Sequence, residues 1–325
     1  MTRVPRPAFG YAVTVAAAGL FALNGTVSTL ALHAGIPATR LTALRCCGAA
    51  VGLLAALAAS SPRRLRLTWR EAPFLAVFGI VGIALTQYLY YVGIGRLPVG
   101  ITLVFEMSAA VFIALYVRLV RRQQVRSVVW LALALTLAGL ALVAEVWQGG
   151  GSLDPRGVAA GLGAALCLAT YYLMGERGTG TRDPLGLTCW SFVAAAVFWS
   201  LAAPWWRFDA SVLGRRVPVE LGALQLPLWV LVAWIVVLGA IVPFWLSIAA
   251  LPHLPPTTVA LVATVEPVFA SVIAWMWLGQ ELAPWQVAGG VVVLAGIVLA
   301  QTARRAPAPA PPAAAREPGF PARLS

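Results

Sequence analysis

Two glutamates stand where a chain this apolar has least reason to keep them. Glu106 lies about eight residues into one long apolar run and Glu266 about ten into another. A run of roughly 20 apolar residues crosses a hydrocarbon core, so both carboxyls fall near the bilayer centre, where an acid costs roughly 2.5 to 3.5 kcal/mol even on the lenient insertion scale. Acids at that depth are kept facing a cavity or a partner. The chemistry open to them is to bind and release a proton, or to hold an ammonium group of a substrate.

Further residues can join them. Pro267, after Glu266, removes one backbone donor and clashes with the carbonyl four residues earlier, so bare carbonyls can line a solute path; a structural kink is the alternative. Arg45, a turn into its run, calls for a carboxylate partner, for which Glu106 is a candidate, unless it snorkels to the outer interface. Asn24 and Ser28, four apart, share a helix face and serve either solute contact or helix-helix hydrogen bonding. Gln87, Tyr88, Tyr91 and Trp245 make polar-aromatic faces suited to a pocket, or to packing and an interfacial belt. Trp275, Trp277 and Trp285 read as belt anchors around Gly279, with Glu281 solvated in that turn. His33 and His253 are too few for a metal site, and Cys46, Cys47, Cys167 and Cys189 lack metal spacing. No phosphate loop, nucleophile elbow or dinucleotide fingerprint is present. No cofactor is expected, nor ATP-driven transport by this chain alone.

The elements that must carry these residues follow from composition. The 325 residues are 61% hydrophobic and 10% charged, against roughly 25% charged in a soluble domain. Apolar runs bounded by charge, Pro or Gly predict ten spans: 10–32, 41–60, 74–94, 99–117, 128–146, 158–174, 185–203, 226–251, 257–278 and 285–303. Nothing alternates as a β-barrel strand does. The fold class is therefore all-α integral membrane. The first run is too long for a cleaved signal peptide and reads as an uncleaved first helix.

The net charge of +12 comes from 23 arginines and no lysine. They cluster in short segments between spans, which argues against nucleic acid and for the positive-inside rule. With a cytoplasmic N-terminus, sixteen arginines fall inside and six outside, so both termini are expected in the cytoplasm.

Sliding the chain on itself by 157 residues pairs Leu97–Val143 with Leu254–Ala300 without a gap, aligning Leu97-Pro98 with Leu254-Pro255 and Leu137-Ala138-Gly139 with Leu294-Ala295-Gly296. The offset equals five spans, an odd number, so the copies must cross in opposite senses, as in secondary transporters built from inverted repeats. The expected organisation is a first five-helix repeat over 1–146, an external linker over 147–157, a second repeat over 158–303, and a Pro/Ala-rich tail over 304–325 that is disordered or polyproline-like.

The stretch LPPTTVALVATVEPVFASVIAWMWLGQELAPWQVAGGVVVLAGIVLA, together with Arg45, resembles the EamA-type carriers of the drug/metabolite transporter superfamily. LPVGITLVFE is similar to their threonine/homoserine exporter branch, though where that branch commonly continues with Gly-Pro this chain has Ser108-Ala109-Ala110. The resemblance implies alternating access around a central cavity and export of a metabolite or drug. The expected cavity is lined by spans one, three, four, six, eight and nine, with Glu106 and Glu266 at its polar centre. Expected partners are a small solute, the lipid bilayer and protons as coupling ion, in a monomer or homodimer of the cytoplasmic membrane. The other readings are a membrane enzyme acting on lipid-linked substrates, for which the loop 204–225 offers no convincing catalytic set, and a non-transporting receptor or assembly factor.

Overall fold

The computed structural model describes residues 5–149, 153–204, 209–219, 224–278 and 283–305. The tail beyond residue 305, Gly279, Glu281 and the side chains of Trp275 and Trp277 lie outside them. Among the described residues, ten apolar helical stretches follow one another. They are α1 (Pro7–His33), α2 (Ala38–Ser60), α3 (Ala72–Ile94), α4 (Val99–Met107 and Ala109–Leu119), α5 (Ser127–Val143), α6 (Pro155–Thr179), α7 (Pro184–Ala202), α8 (Leu228–Ala250), α9 (Pro256–Ala263 and Glu266–Leu278) and α10 (Pro284–Arg305). Among the described residues eight of these are long and apolar enough to cross a bilayer, and the apolar parts of α5 and α10 are shorter. In hydrocarbon every backbone group must be satisfied within the segment, which is why apolar runs of this length become helices.

Sequence sets several of the helix starts. Asp154 and Asp183 each cap a helix whose first residue is proline, accepting from the backbone N–H of Arg156 at 2.9 Å and of Gly186 at 3.0 Å. Proline loses nothing there, because the first N–H groups of a helix lack intrahelical partners anyway.

Four spans are irregular. In α3 the helix opens into a π-turn over Ile80–Leu85, and in α8 over Val237–Ile241; the two turns start 157 residues apart. α4 breaks at Ser108 and α9 at Thr264, where each hydroxyl folds back onto the carbonyl three residues earlier, Ser108 onto Phe105 and Thr264 onto Leu261, both at 2.5 Å. A side chain that bonds its own backbone competes with the helical ladder, and here it marks where the ladder stops.

Lipid tails are as apolar as the helices, so packing between spans rests on close backbone approach through small residues. α5 and α10 cross in this way. A β-carbon on Gly139 would lie 2.7 Å from the Gly289 carbonyl oxygen, and one on Gly289 2.6 Å from that of Gly139. Loops add ion pairs: Arg182 meets Glu71 at 2.5 Å, Arg64 meets Asp183 at 3.4 Å, and Arg121 meets Glu176. Partly exposed pairs of this kind contribute about 0 to 1 kcal/mol each. Trp285 packs edge-on against Trp147 and donates to Glu145 at 2.5 Å.

Between α7 and α8 the structure departs from a purely helical reading. Strands β1 (Arg216–Val219) and β2 (Leu224–Pro227) pair antiparallel, with Val217 opposite Leu226. The segment has too little apolar length for a span, but its backbone groups find partners in a hairpin that leads directly into α8.

Candidate functional site

A small cavity, with a volume of about 50 Å³, lies in the middle of the bundle. Its walls come from α1, α3, α4, α6, α8 and α9, the six spans pointed to by sequence. α1 contributes Thr14, Phe21 and Asn24, α3 Gln87 and Tyr90, and α4 Glu106 and Met107. From the second half come Tyr171 and Tyr172 on α6, Phe244 and Ser247 on α8, and Ala263 and Glu266 on α9.

Both glutamates owe their positions to helix breaks. Glu106 sits in the last turn of the first piece of α4, and Glu266 is the first residue of the second piece of α9. Pro267 follows at the second position of that piece, where a proline is tolerated, and withholds the N–H that the Ala263 carbonyl would otherwise accept. Among the described residues no hydrogen bond or ion pair satisfies either carboxylate. Glu106 is only 6% exposed. A buried acid without a protein partner is costly, and the space it faces is the cavity.

Arg45 departs from both expectations for it. It is 1% exposed, so it does not snorkel, and no carboxylate pairs with it among the described residues. It bonds neutral groups instead: the Gln87 side-chain oxygen, the Tyr91 hydroxyl at 3.1 Å, and the Gly239 carbonyl in the π-turn of α8. Its guanidinium carbon also lies 5.6 Å from the centre of the Phe244 ring. A π-turn shifts the hydrogen-bond register, and the Gly239 carbonyl is taken by arginine from outside the helix. Tyr91 in turn shares a hydrogen bond with Ser28 at 3.2 Å. Helices α1, α2, α3 and α8 are thereby tied together behind the cavity wall.

Of the sequence candidates, Asn24, Gln87, Glu106 and Glu266 meet on the cavity. Arg45 and Tyr91 stand behind its wall. Tyr88 packs on Trp199, ring centroids 5.3 Å apart, and Pro267 is not on the lining. Trp245 corrects the sequence reading: it is 38% exposed and off the cavity, because α8 turns Phe244 and Ser247 inward instead. Sequence reasoning missed Tyr90, Tyr171, Tyr172 and Phe244. The Tyr171 hydroxyl donates to the Phe244 carbonyl at 3.0 Å, and Phe244 sits edge-on to Phe21, Tyr171 and Phe192. The repeat offset of 157 places Phe244 on Gln87, which was the signal available for it.

Comparison with known proteins gives a consistent account. The EamA-like transporter family matches residues 8–144 and again 155–302. The chain is similar to the threonine/homoserine exporter RhtA of Escherichia coli K12, 30% identical over 276 residues that cover 83% of this chain and 84% of the relative. The RhtA of Salmonella typhimurium LT2 is 28% identical over 84% of this chain and 85% of the relative. A solved crystal structure at 17% identity superposes with a TM-score of 0.74, covering 92% of this chain and 99% of that one, a likeness of fold.

Proposed function

The chain belongs to the EamA-like transporter family, and on that premise we propose that it is a secondary carrier exporting a small amino-acid-like metabolite across the bacterial cytoplasmic membrane by alternating access. That it is a multi-pass membrane transporter of small metabolites, and not an enzyme, rests on the family and its named relatives. The finer reading adds ten spans in two inverted five-helix repeats, both termini cytoplasmic, and proton coupling through Glu106 and Glu266.

Several observations support it. The family matches the chain twice in succession. The π-turns of α3 and α8 recur at the offset found by sliding the sequence on itself, and the breaks of α4 and α9 recur 156 residues apart. Discontinuous spans lining a central site are a recurring device of carriers, because the freed helix ends and carbonyls handle polar solutes. The arginine asymmetry supports the orientation.

The observation that carries the reading is the cavity itself: two carboxylates, one from each half, face it without a partner among the described residues. Such a pair can take a proton from one side and release it on the other as the halves rock. The test is transport by purified protein in proteoliposomes, with threonine or homoserine trapped inside and a pH gradient imposed. Gradient-dependent movement of either amino acid is the expected result. Absence of flux and of counterflow for both removes the amino-acid reading.

A further inference from the structure

The cavity has an unexplained polarity. Among the described residues, its two charged side chains are both acids, and none on its lining is a cation. The positive charge stands one residue behind, on Arg45, whose guanidinium is fully buried. A buried cation is costly unless its charge is used, and among the described residues Arg45 meets only neutral acceptors at hydrogen-bond distance.

One of those acceptors is itself a wall of the cavity. Arginine has five N–H donors and no acceptor, so the Gln87 amide must offer Arg45 its oxygen, as observed. The orientation of a glutamine amide is otherwise ambiguous; here the donor-only partner decides it. The hydrogen bond that Gln87 makes among the described residues is to its oxygen, which leaves the amide NH₂ free on a side chain that lines the cavity. Donation by a cation to the oxygen polarises the amide and makes that NH₂ a better donor, since hydrogen bonds in a chain strengthen one another. The lining therefore offers acids to a cation and an arginine-backed amide donor to an anion.

We propose that Gln87 is the group that recognises the carboxylate of a zwitterionic solute, with Arg45 as its positioning residue, while Glu106 and Glu266 take the ammonium end. The proposal rests on the amino-acid reading above and deepens it. Gln87 touches the solute; Arg45 acts through Gln87 and Tyr91.

Two probes differing only in the carboxylate test it, threonine and its decarboxylated counterpart 1-aminopropan-2-ol. Hydrogen bonds to a charged group are worth enough to discriminate about tenfold or more. The unaltered protein in proteoliposomes should therefore prefer threonine by at least about tenfold in competition. Q87E turns the donor into an acceptor while keeping a partner for Arg45, and should erase or invert that preference. R45K keeps a donor on the amide and should retain most of the preference, whereas R45M should lose it. No threonine flux in the unaltered protein defeats the amino-acid reading itself. Threonine flux with equal preference for the amine overturns the Gln87 assignment alone, as does an unchanged preference ratio in Q87E. Because the first comparison needs no variant, a variant that fails to fold does not remove the test.

Discussion

Asn24 of α1 and Gly239 of α8 touch so closely that a β-carbon on the glycine would overlap the asparagine Oδ1. The contact exists because the π-turn swings the backbone at Gly239 toward α1, and the same turn presents its carbonyl to Arg45. One glycine thus serves a close approach and an arginine staple together.

Gly239→Ala should therefore be destabilising, by about 1 to 3 kcal/mol, the usual cost of forcing a methyl into a packed site. Thermal unfolding in detergent measures it. Shortening the opposing side chain in the double variant Gly239→Ala/Asn24→Ala should recover most of the loss. Equal melting of the single variant and the unaltered chain would mean that α1 and α8 yield freely there.

Glu106→Gln should abolish solute movement driven by a pH gradient while leaving the amount of protein in the membrane unchanged, and Glu266→Gln should do the same. Amide replaces acid at nearly constant volume, so the cavity keeps its shape and loses only the titrating group. Full activity in Glu106→Gln takes that residue out of the coupling step.

Much of this arrangement was readable from the chain, for physical reasons that differ by residue. Apolar length predicts the spans, since hydrocarbon leaves the backbone little alternative, and a mid-span acid announces a cavity because lipid would not tolerate it. Other features leave no such mark. The break at Ser108 has no proline; it coincides with a hydroxyl folded onto the carbonyl three residues back, and sequence does not distinguish this serine from Ser60, Ser191 and Ser271, whose hydroxyls bond the carbonyl four residues back within unbroken helices. For Arg45 the sequence points to a carboxylate or to the outer interface, because the π-turn that frees the Gly239 carbonyl for it has no sequence signature beyond the glycine. Tyr171, Tyr172 and Phe244 were hidden because an aromatic in an apolar run looks the same whether it faces a cavity, a helix or lipid. Trp245 was misplaced by the same ambiguity: adjacent residues on α8 point about 100° apart.

Bulk at the crossing of α5 and α10 should fail more severely than bulk elsewhere. Gly139→Val and Gly289→Val would each press a side chain onto a backbone carbonyl that cannot rotate away. A loss of about 1 to 3 kcal/mol or more is expected, read as a lower melting temperature. Gly214→Val is the control, because nothing lies within 4 Å of a β-carbon there, and it should melt close to the unaltered protein.

Asp154 gives a pH dependence of determined sign. It caps α6 and pairs with Arg96 at 2.9 Å, and the Arg96 guanidinium, with help from the Arg156 N–H, holds its carboxyl below the ordinary value of 3.8. A carboxyl depressed in the folded state stabilises the fold above its unfolded value and loses that contribution as pH falls through the folded one. Asp154→Asn keeps a competent cap and removes the charge. The unaltered chain should melt above Asp154→Asn at neutral pH, with the gap closing below pH 3.8. A gap that persists unchanged in acid would assign the effect to capping, not to the ion pair.

The proposed orientation of the bundle rests on the arginine asymmetry and is open to a direct test. With the four native cysteines replaced, a cysteine at Arg63, exposed between α2 and α3, should react with a membrane-impermeant maleimide only after cells are opened. One at Ser211, exposed between α7 and α8, should react in intact cells. On the proposed topology the two loops lie on opposite faces, because five spans would separate them, and that odd number would invert the second repeat against the first. Labelling of both from the same side would leave an even number of crossings between them, and the inverted arrangement could not stand.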